Sequence, residues 1–293
     1  MDEIKRVVIV GGTHGNELIG VYLHQKFERY PDLIRRSSFE TVSCVGNPQA
    51  IAAGVRYIDK DLNRCFTPDD LAQGDSQLYE IQRAREIRSQ FGQDGSMPAD
   101  FIIDQHGTTS NVGTMLILDN LDPFTLRLSA YLNAIQPEIK VYSSAHSGRN
   151  QDSLRSLAKY RIGIEVGPVA HGTLHGELFC KTEALIHAIL DYLEQHNTKS
   201  NNIEPESLTL YQYVDSLDYP RDQQGKLLAM IHPQRQFKDF EALNPGDPIF
   251  LTFEGEAIAY AGDSTVYPVF VNEAAYYEKG IAMCLTQKQQ VFR

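Results

Sequence analysis

His14 and Glu17 stand three residues apart in RVVIVGGTHGNE, where a short apolar run at residues 7–10 gives way to Gly11-Gly12. An imidazole and a carboxylate at that spacing can converge on one ion, and the ends of strands in α/β proteins are where sites gather. A third ligand is offered by His106 in DFIIDQHG, at the end of a second apolar run. If the three meet, they form a two-histidine, one-glutamate site for a single Zn2+ per chain, with a fourth position open to reactants. That is the arrangement of a hydrolytic centre. Asp104 lies two residues before His106, on the same strand face, and is placed to accept the spare ring N–H of one of the two histidines. Each of these residues, taken singly, has a plainer alternative: a surface histidine near a glutamate, or a strand-end histidine hydrogen-bonded beside a turn aspartate.

Glu165 lies in RIGIEVGP, between Ile164 and Val166 and bracketed by glycines. Solvation explains a carboxylate poorly there. Facing an activated water it can serve as general base and then as general acid. The alternative is an edge-strand glutamate turned to solvent. Asn63 and Arg64, in DLNR, supply an amide and a planar fork of donors suited to a carboxylate. Arg56 and Arg155 add two further cations, and any one of these arginines alone reads as a surface charge.

The elements that must position these groups alternate. Strands are expected at residues 7–10, 40–45, 101–104, 114–118, 139–143 and 162–166. Helices are expected between them at residues 18–30, 78–91, 125–134 and 182–195, the last with Leu185, Ile189 and Leu193 at helical spacing and Thr182 as its cap. Such alternation predicts an α/β domain with a mixed sheet flanked by helices. The polar stretch HNTKSNNIEPES at residues 196–207 reads as a linker. Behind it come short strands at 208–214, 227–231, 248–253, 257–260 and 281–285, so the chain divides into residues 1–199 and a smaller β-rich domain at 200–293.

A net charge of −11 argues against nucleic acid and membrane surfaces as partners, while leaving small anions open where arginines and a metal cluster. No apolar run approaches the roughly 18 residues of a membrane span. Cys44, Cys65, Cys180 and Cys284 are scattered without a CxxC pair, which favours reduced thiols in a cytoplasmic protein.

Five motifs, GGTHGNE, DLNRCF, DQHGTTSNVG, RSLAKYRIGIEVGP and VNEAAYYEK, follow in this order between Gly11 and Lys279. Together they resemble the aspartoacylase and succinylglutamate desuccinylase family, which is related in fold to the zinc carboxypeptidases. The resemblance implies a carboxypeptidase-like catalytic domain and a β-rich domain that narrows its entrance. It implies zinc on His14, Glu17 and His106, Glu165 as acid/base, and Arg56 polarising the scissile carbonyl. Asn63, Arg64 and Tyr276 would hold the α-carboxylate of a small anionic N-acyl amino acid, and Arg155 would pair with an aspartate side chain. The implied reaction is hydrolysis of N-acetyl-L-aspartate to acetate and L-aspartate. Other N-acyl amino acids, a desuccinylase activity, peptide trimming and non-catalytic zinc-dependent ligand binding are the alternatives, and a homodimer is compatible with the resemblance. Two positions depart from the family pattern near the substrate end: Gln151, where a tyrosine is expected, and Gly280, where a second basic residue is expected.

Overall fold

The computed structural model describes residues 3–72, 74–145, 152–200 and 207–292; Gln151 and residues 201–206 of the expected linker lie outside them. Twelve strands and six α-helices are present among the described residues. The strands are β1 (Arg6–Gly11), β2 (Glu40–Val45), β3 (Phe101–Gly107), β4 (Gly113–Leu118), β5 (Lys140–Ser143), β6 (Tyr160–Gly167), β7 (Leu208–Leu217), β8 (Ala229–Ile231), β9 (Pro248–Thr252), β10 (Ala257–Ala259), β11 (Tyr267–Val269) and β12 (Met283–Val291). The helices are α1 (Leu18–Arg29), α2 (Pro48–Ala53), α3 (Pro68–Ala72), α4 (Tyr79–Phe91), α5 (Pro123–Ile135) and α6 (Gly176–Asn197).

Nine strands form one sheet in the order β11-β12-β7-β5-β4-β6-β3-β1-β2. β2, β1, β3 and β6 run parallel, β4 is antiparallel to β6, and β5 is parallel to both β4 and β7. β1 reads Val-Val-Ile-Val because both of its faces are covered. On one face, Val7, Ile9, Phe101, Ile103, Ile162 and Ile164 pack against α1, α5 and α6. On the other, Val8, Val10 and Ile102 pack against Ile81, Ala84, Ile87 and Phe91 of α4. Beyond the reach of α4, Met115, Tyr142 and Tyr211 of that second face meet Phe240, Phe270 and Ile281 from the C-terminal part of the chain. A cleft opens between these two covers.

The sheet does not end where the linker was expected. β7, β12 and β11 all follow residue 207, yet they extend the sheet through the β5–β7 pairing. β8, β9 and β10 form a separate three-stranded sheet with its own core of Ala229, Ile231, Ile249 and Phe250. Two local expectations need correction. Thr182 does not cap a helix: α6 begins at Gly176, the His175 ring accepts the Leu178 N–H, and Thr182 Oγ1 bonds back to the Leu178 carbonyl inside the helix. His196 and Asn197, expected in the linker, belong to α6, where the Asn197 side chain ties the helix end to both backbone groups of Ile4. Among the described residues, no helix is long and apolar enough to cross a membrane.

Candidate active site

The turn after β1 presents His14 and Glu17 because two glycines let it pass. Gly12 holds φ +68°, and a Cβ on Gly15 would lie 2.1 Å from the Ala50 carbonyl carbon. The Gly15 N–H donates to the Arg56 carbonyl, which ties this turn to the loop carrying Arg56 and Asp61. That loop is in turn fixed by Glu80, in the first turn of α4. Its carboxylate accepts the N–H groups of Ile58, Asp59 and Lys60 and the Asn47 amide. Glu80 is fully buried, and this set of donors keeps its pKa low against the opposing effect of burial.

His14, Glu17 and His106 converge: one ligand atom from each lies within 4.8 Å of the others, and all three are buried. Both imidazoles turn Nδ1 toward Glu17, at 2.6 Å from His14 to Oε1 and 3.0 Å from His106 to Oε2. Both turn Nε2 to an aspartate, His14 to Asp61 at 3.0 Å and His106 to Asp104 at 2.8 Å. A metal-binding histidine needs such a carboxylate behind it to fix its tautomer and ring plane. Asp104 therefore serves His106, and the partner of His14 is Asp61, a residue to which sequence reasoning gave no role although it opens the DLNR motif. The three groups are strongly coupled electrostatically. Burial opposes ionisation of both groups, yet the His14 charge and the His106 hydrogen bond hold Glu17 well below the usual carboxylate range, while Asp104 and Glu17 push His106 up to about 10. Two imidazoles and one carboxylate within reach of one another, backed by Asp61 and Asp104, are a donor set that could hold a metal ion.

Glu165 is buried on β6 between β3 and β4, in register with His106 on one side and Met115 on the other. The edge-strand alternative is excluded. Burial pushes its carboxyl up to about 8, with repulsion from Glu17 and Glu273 working against the charges of His106 and Arg56.

The other expected residues reach the same cleft with different commitments. Arg56 donates to Glu17 Oε1 at 2.9 Å and Asp61 Oδ2 at 3.4 Å, and these carboxylates raise its pKa despite burial. Asn63 gives its amide N–H to Asp104 Oδ2 at 3.1 Å and accepts the Leu154 N–H, so its side chain braces Asp104. Arg64 sits at the mouth, its Nε 3.5 Å from Asp152. Arg155 lies deeper, with Nη1 3.3 Å from Asp104 and Nε 3.6 Å from Asp119. Tyr276 lines the cleft from the C-terminal segment, and the Lys279 ammonium lies 5.5 Å above its ring and 2.8 Å from Asp61. Glu273 was not singled out in the sequence, though VNEAAYYEK contains it. It accepts Thr109 N at 2.8 Å and Thr109 Oγ1 at 2.9 Å, also bonds Thr108 Oγ1, and faces His171 at 3.4 Å. It thereby pins the C-terminal segment to the loop that follows His106.

A family model described as the succinylglutamate desuccinylase/aspartoacylase catalytic domain matches residues 3–193, and one for the barrel-sandwich hybrid domain of the same family matches residues 206–288. A "Probable aspartoacylase" of Nostoc sp. (strain PCC 7120) is 53% identical over 296 residues, covering 99% of both chains. A human "N-acyl-aromatic-L-amino acid amidohydrolase (carboxylate-forming)" is 40% identical, covering 98% of this chain and 92% of its own. The crystal structure of murine aminoacylase 3 superposes with a TM-score of 0.92 at 39% identity, covering 99% of this chain and 97% of that one.

Proposed function

Because the chain belongs to the succinylglutamate desuccinylase/aspartoacylase family, we propose that it hydrolyses the amide bond of N-acyl-L-amino acids with a zinc ion held by His14, Glu17 and His106. The observation that carries this reading is the buried His14–Glu17–His106 cluster with Glu165 one strand away from His106. A bound zinc ion would polarise the acyl carbonyl and bring the pKa of water from about 15.7 toward roughly 7.

The protein groups do the rest. Glu165 takes the proton of the attacking water as the C–O bond forms, then hands it to the amide nitrogen as the C–N bond breaks, releasing a carboxylate and a free amino acid. A carboxyl raised toward neutrality can both accept and return that proton. Arg56 offers guanidinium donors to the carbonyl oxygen as it becomes negative; one such donor is worth about 3–4 kcal/mol. Arg64, with Asn63 and Tyr276, is assigned the α-carboxylate, the one anionic group that every substrate of this class shares. In the same proposal, residues 1–199 carry the chemistry, and residues 200–293 narrow the mouth through Tyr276 and Lys279. The sequence resemblance and the Nostoc relative's name point to N-acetyl-L-aspartate, while the human relative is named for aromatic amino acids. Which side chain fits depends on the far wall of the cleft.

The test is release of free amino acid from N-acetyl-L-amino acids by zinc-loaded protein, before and after chelation. Chelation should abolish turnover and zinc should restore it. Turnover indifferent to chelation would exclude the metal role, and zinc-loaded protein inert toward every acyl amino acid would exclude the amidohydrolase.

A further inference from the structure

We propose that Glu80, a buried carboxylate outside the lining of the cleft, is a positioning residue for the reaction: it places the loop that carries Arg56, and so sets the reach of the Arg56 guanidinium to the carbonyl oxygen. The inference rests on the amidohydrolase reading above and on the role given there to Arg56.

The loop cannot be held by packing. Residues 54–60 bury no side chain completely, and its apolar members face solvent, Val55 being 40% exposed and Ile58 41%. A segment with so few buried apolar contacts opens easily unless polar attachments hold it. Glu80 supplies them from the first turn of α4, and each of its oxygens accepts two hydrogen bonds. Oε1 takes Ile58 N at 2.6 Å and the Asn47 side-chain amide at 3.0 Å, and Oε2 takes Asp59 N at 2.9 Å and Lys60 N at 3.1 Å. Successive backbone N–H groups that converge in this way form a concavity for an anion, here filled by the protein's own side chain. Hydrogen bonds to an ionised acceptor are the strong ones. Asp59 returns the contact by accepting Tyr79 N at 2.8 Å, at the start of the same helix.

This attachment lies between the two residues whose placement matters. Arg56 is two residues before Ile58, and Asp61, which faces His14, directly follows Lys60. A donor to an oxyanion acts only when it sits about 2.7–3.1 Å from the oxygen as charge develops there. A displacement of about 1 Å, caused by a change far from the chemistry, can cost about 10²-fold in rate. Because that contact is made in the transition state, its loss falls on kcat and spares KM.

The test is steady-state hydrolysis by zinc-loaded full-length protein, with whichever of N-acetyl-L-aspartate and N-acetyl-L-phenylalanine the native chain turns over faster. Glu80→Gln keeps the shape, but an amide leaves two of the four donors without an acceptor whichever way it is turned. At saturating zinc, kcat should fall about tenfold or more while KM stays within about threefold. Arg56→Ala separates positioning from general support. In that background Glu80→Gln should lower kcat by less than about threefold, since residues that act through one another are not additive. Asp59→Ala, at an exposed position, loosens the same attachment without opening the core, and should show the same split with a fall in kcat of about two- to fivefold. It decides the question should Glu80→Gln not fold. Unchanged kcat in the deciding variant, a loss carried by KM alone, or an undiminished effect on top of Arg56→Ala would each overturn the inference and leave the amidohydrolase standing. A native chain inert toward both substrates would remove the amidohydrolase reading, and the inference with it.

Discussion

The cleft has two unlike sides built on one sheet face. Toward β1, β3 and β6 the buried groups are ionisable, and the histidines there are enclosed by opposite charge: His14 by Glu17 and Asp61, His106 by Glu17 and Asp104. Toward β4, β5 and β7 the wall is Ile117, Tyr142 and Tyr213, with Phe270 and Ile281 closing over it. Burying ionisable groups is unfavourable unless each is paired, so the first side tolerates few substitutions and its residue types announce its chemistry. The second side needs only shape and apolar surface. Its residues are also core residues, and they can change without dismantling the reactive centre. Reaction and selection are therefore separable in this molecule, and variants should separate them.

The largest separation should come from Glu165→Gln. The amide keeps the shape and removes the proton carrier, so turnover should fall by about 10²–10⁴-fold on every substrate alike. Zinc content should stay at one ion per chain. Near-normal turnover would move the acid/base role elsewhere, and loss of zinc would mean that Glu165 belongs to the metal cluster.

Glu273 joins the two sides, and its removal should register in stability. Burial alone would raise its pKa, but His171, Thr108 and the Ala275 N–H hold it at about 2. A carboxyl depressed in the folded state stabilises the fold above the unfolded pKa near 4.5, and that stabilisation is lost as pH falls toward 2. The difference corresponds to about 3 kcal/mol. Denaturant unfolding between pH 6 and pH 2.5 should show a steeper loss of stability for the native chain than for Glu273→Gln. Equal slopes would mean that the network contributes no pH-dependent stability.

Much of the reactive side was legible. HGNE, DQHG and IEVGP carry residue types that an apolar strand end has little other use for, and β3 and β6 were expected within a few residues of their observed bounds. What stayed hidden depends on pairing at long range. The adjacency of His106 and Glu165 is a property of sheet register, not of either strand. Asp61 stands 47 residues from His14, and nothing near it signals that it faces an imidazole. Glu80 looks like a favourable first-turn acid on a helix until the loop of residues 58–60 folds over it. β11 is three residues long with Pro268 at its centre, tolerable because it is an edge strand and too short for an alternating pattern. The aromatic wall was the least legible part, since Tyr142 falls in an expected strand with nothing to mark its face and Phe270 lies in no expected element.

The two aspartates behind the histidines should behave alike despite their separation in sequence. Asp61→Asn and Asp104→Asn each leave an imidazole without its carboxylate and should weaken zinc binding about 10–100-fold. Chelator competition measures this without reference to turnover. Asp61 also holds Arg56 and Lys279, so its variant should lower kcat beyond the effect of metal loss even at saturating zinc. Zinc affinity unchanged in both variants would mean that the ring orientations are set by packing and not by these carboxylates.

The smallest effect is the most informative about the selecting wall. Phe270 holds φ +58°, an unfavourable backbone for a large side chain, which the fold maintains while its ring packs against Tyr142 and Tyr276. Phe270→Leu retains an apolar side chain at the same strained position and removes only the ring. Ring–ring contacts of this kind contribute about 0.5–1.5 kcal/mol, so kcat/KM for N-acetyl-L-phenylalanine should drop roughly two- to tenfold. N-acetyl-L-leucine and zinc content should be unaffected, because neither depends on the ring. A uniform decline across substrates, or a fall in bound zinc, would instead make Phe270 a support of the reactive side, and the division between reaction and selection would then not run between β6 and β4.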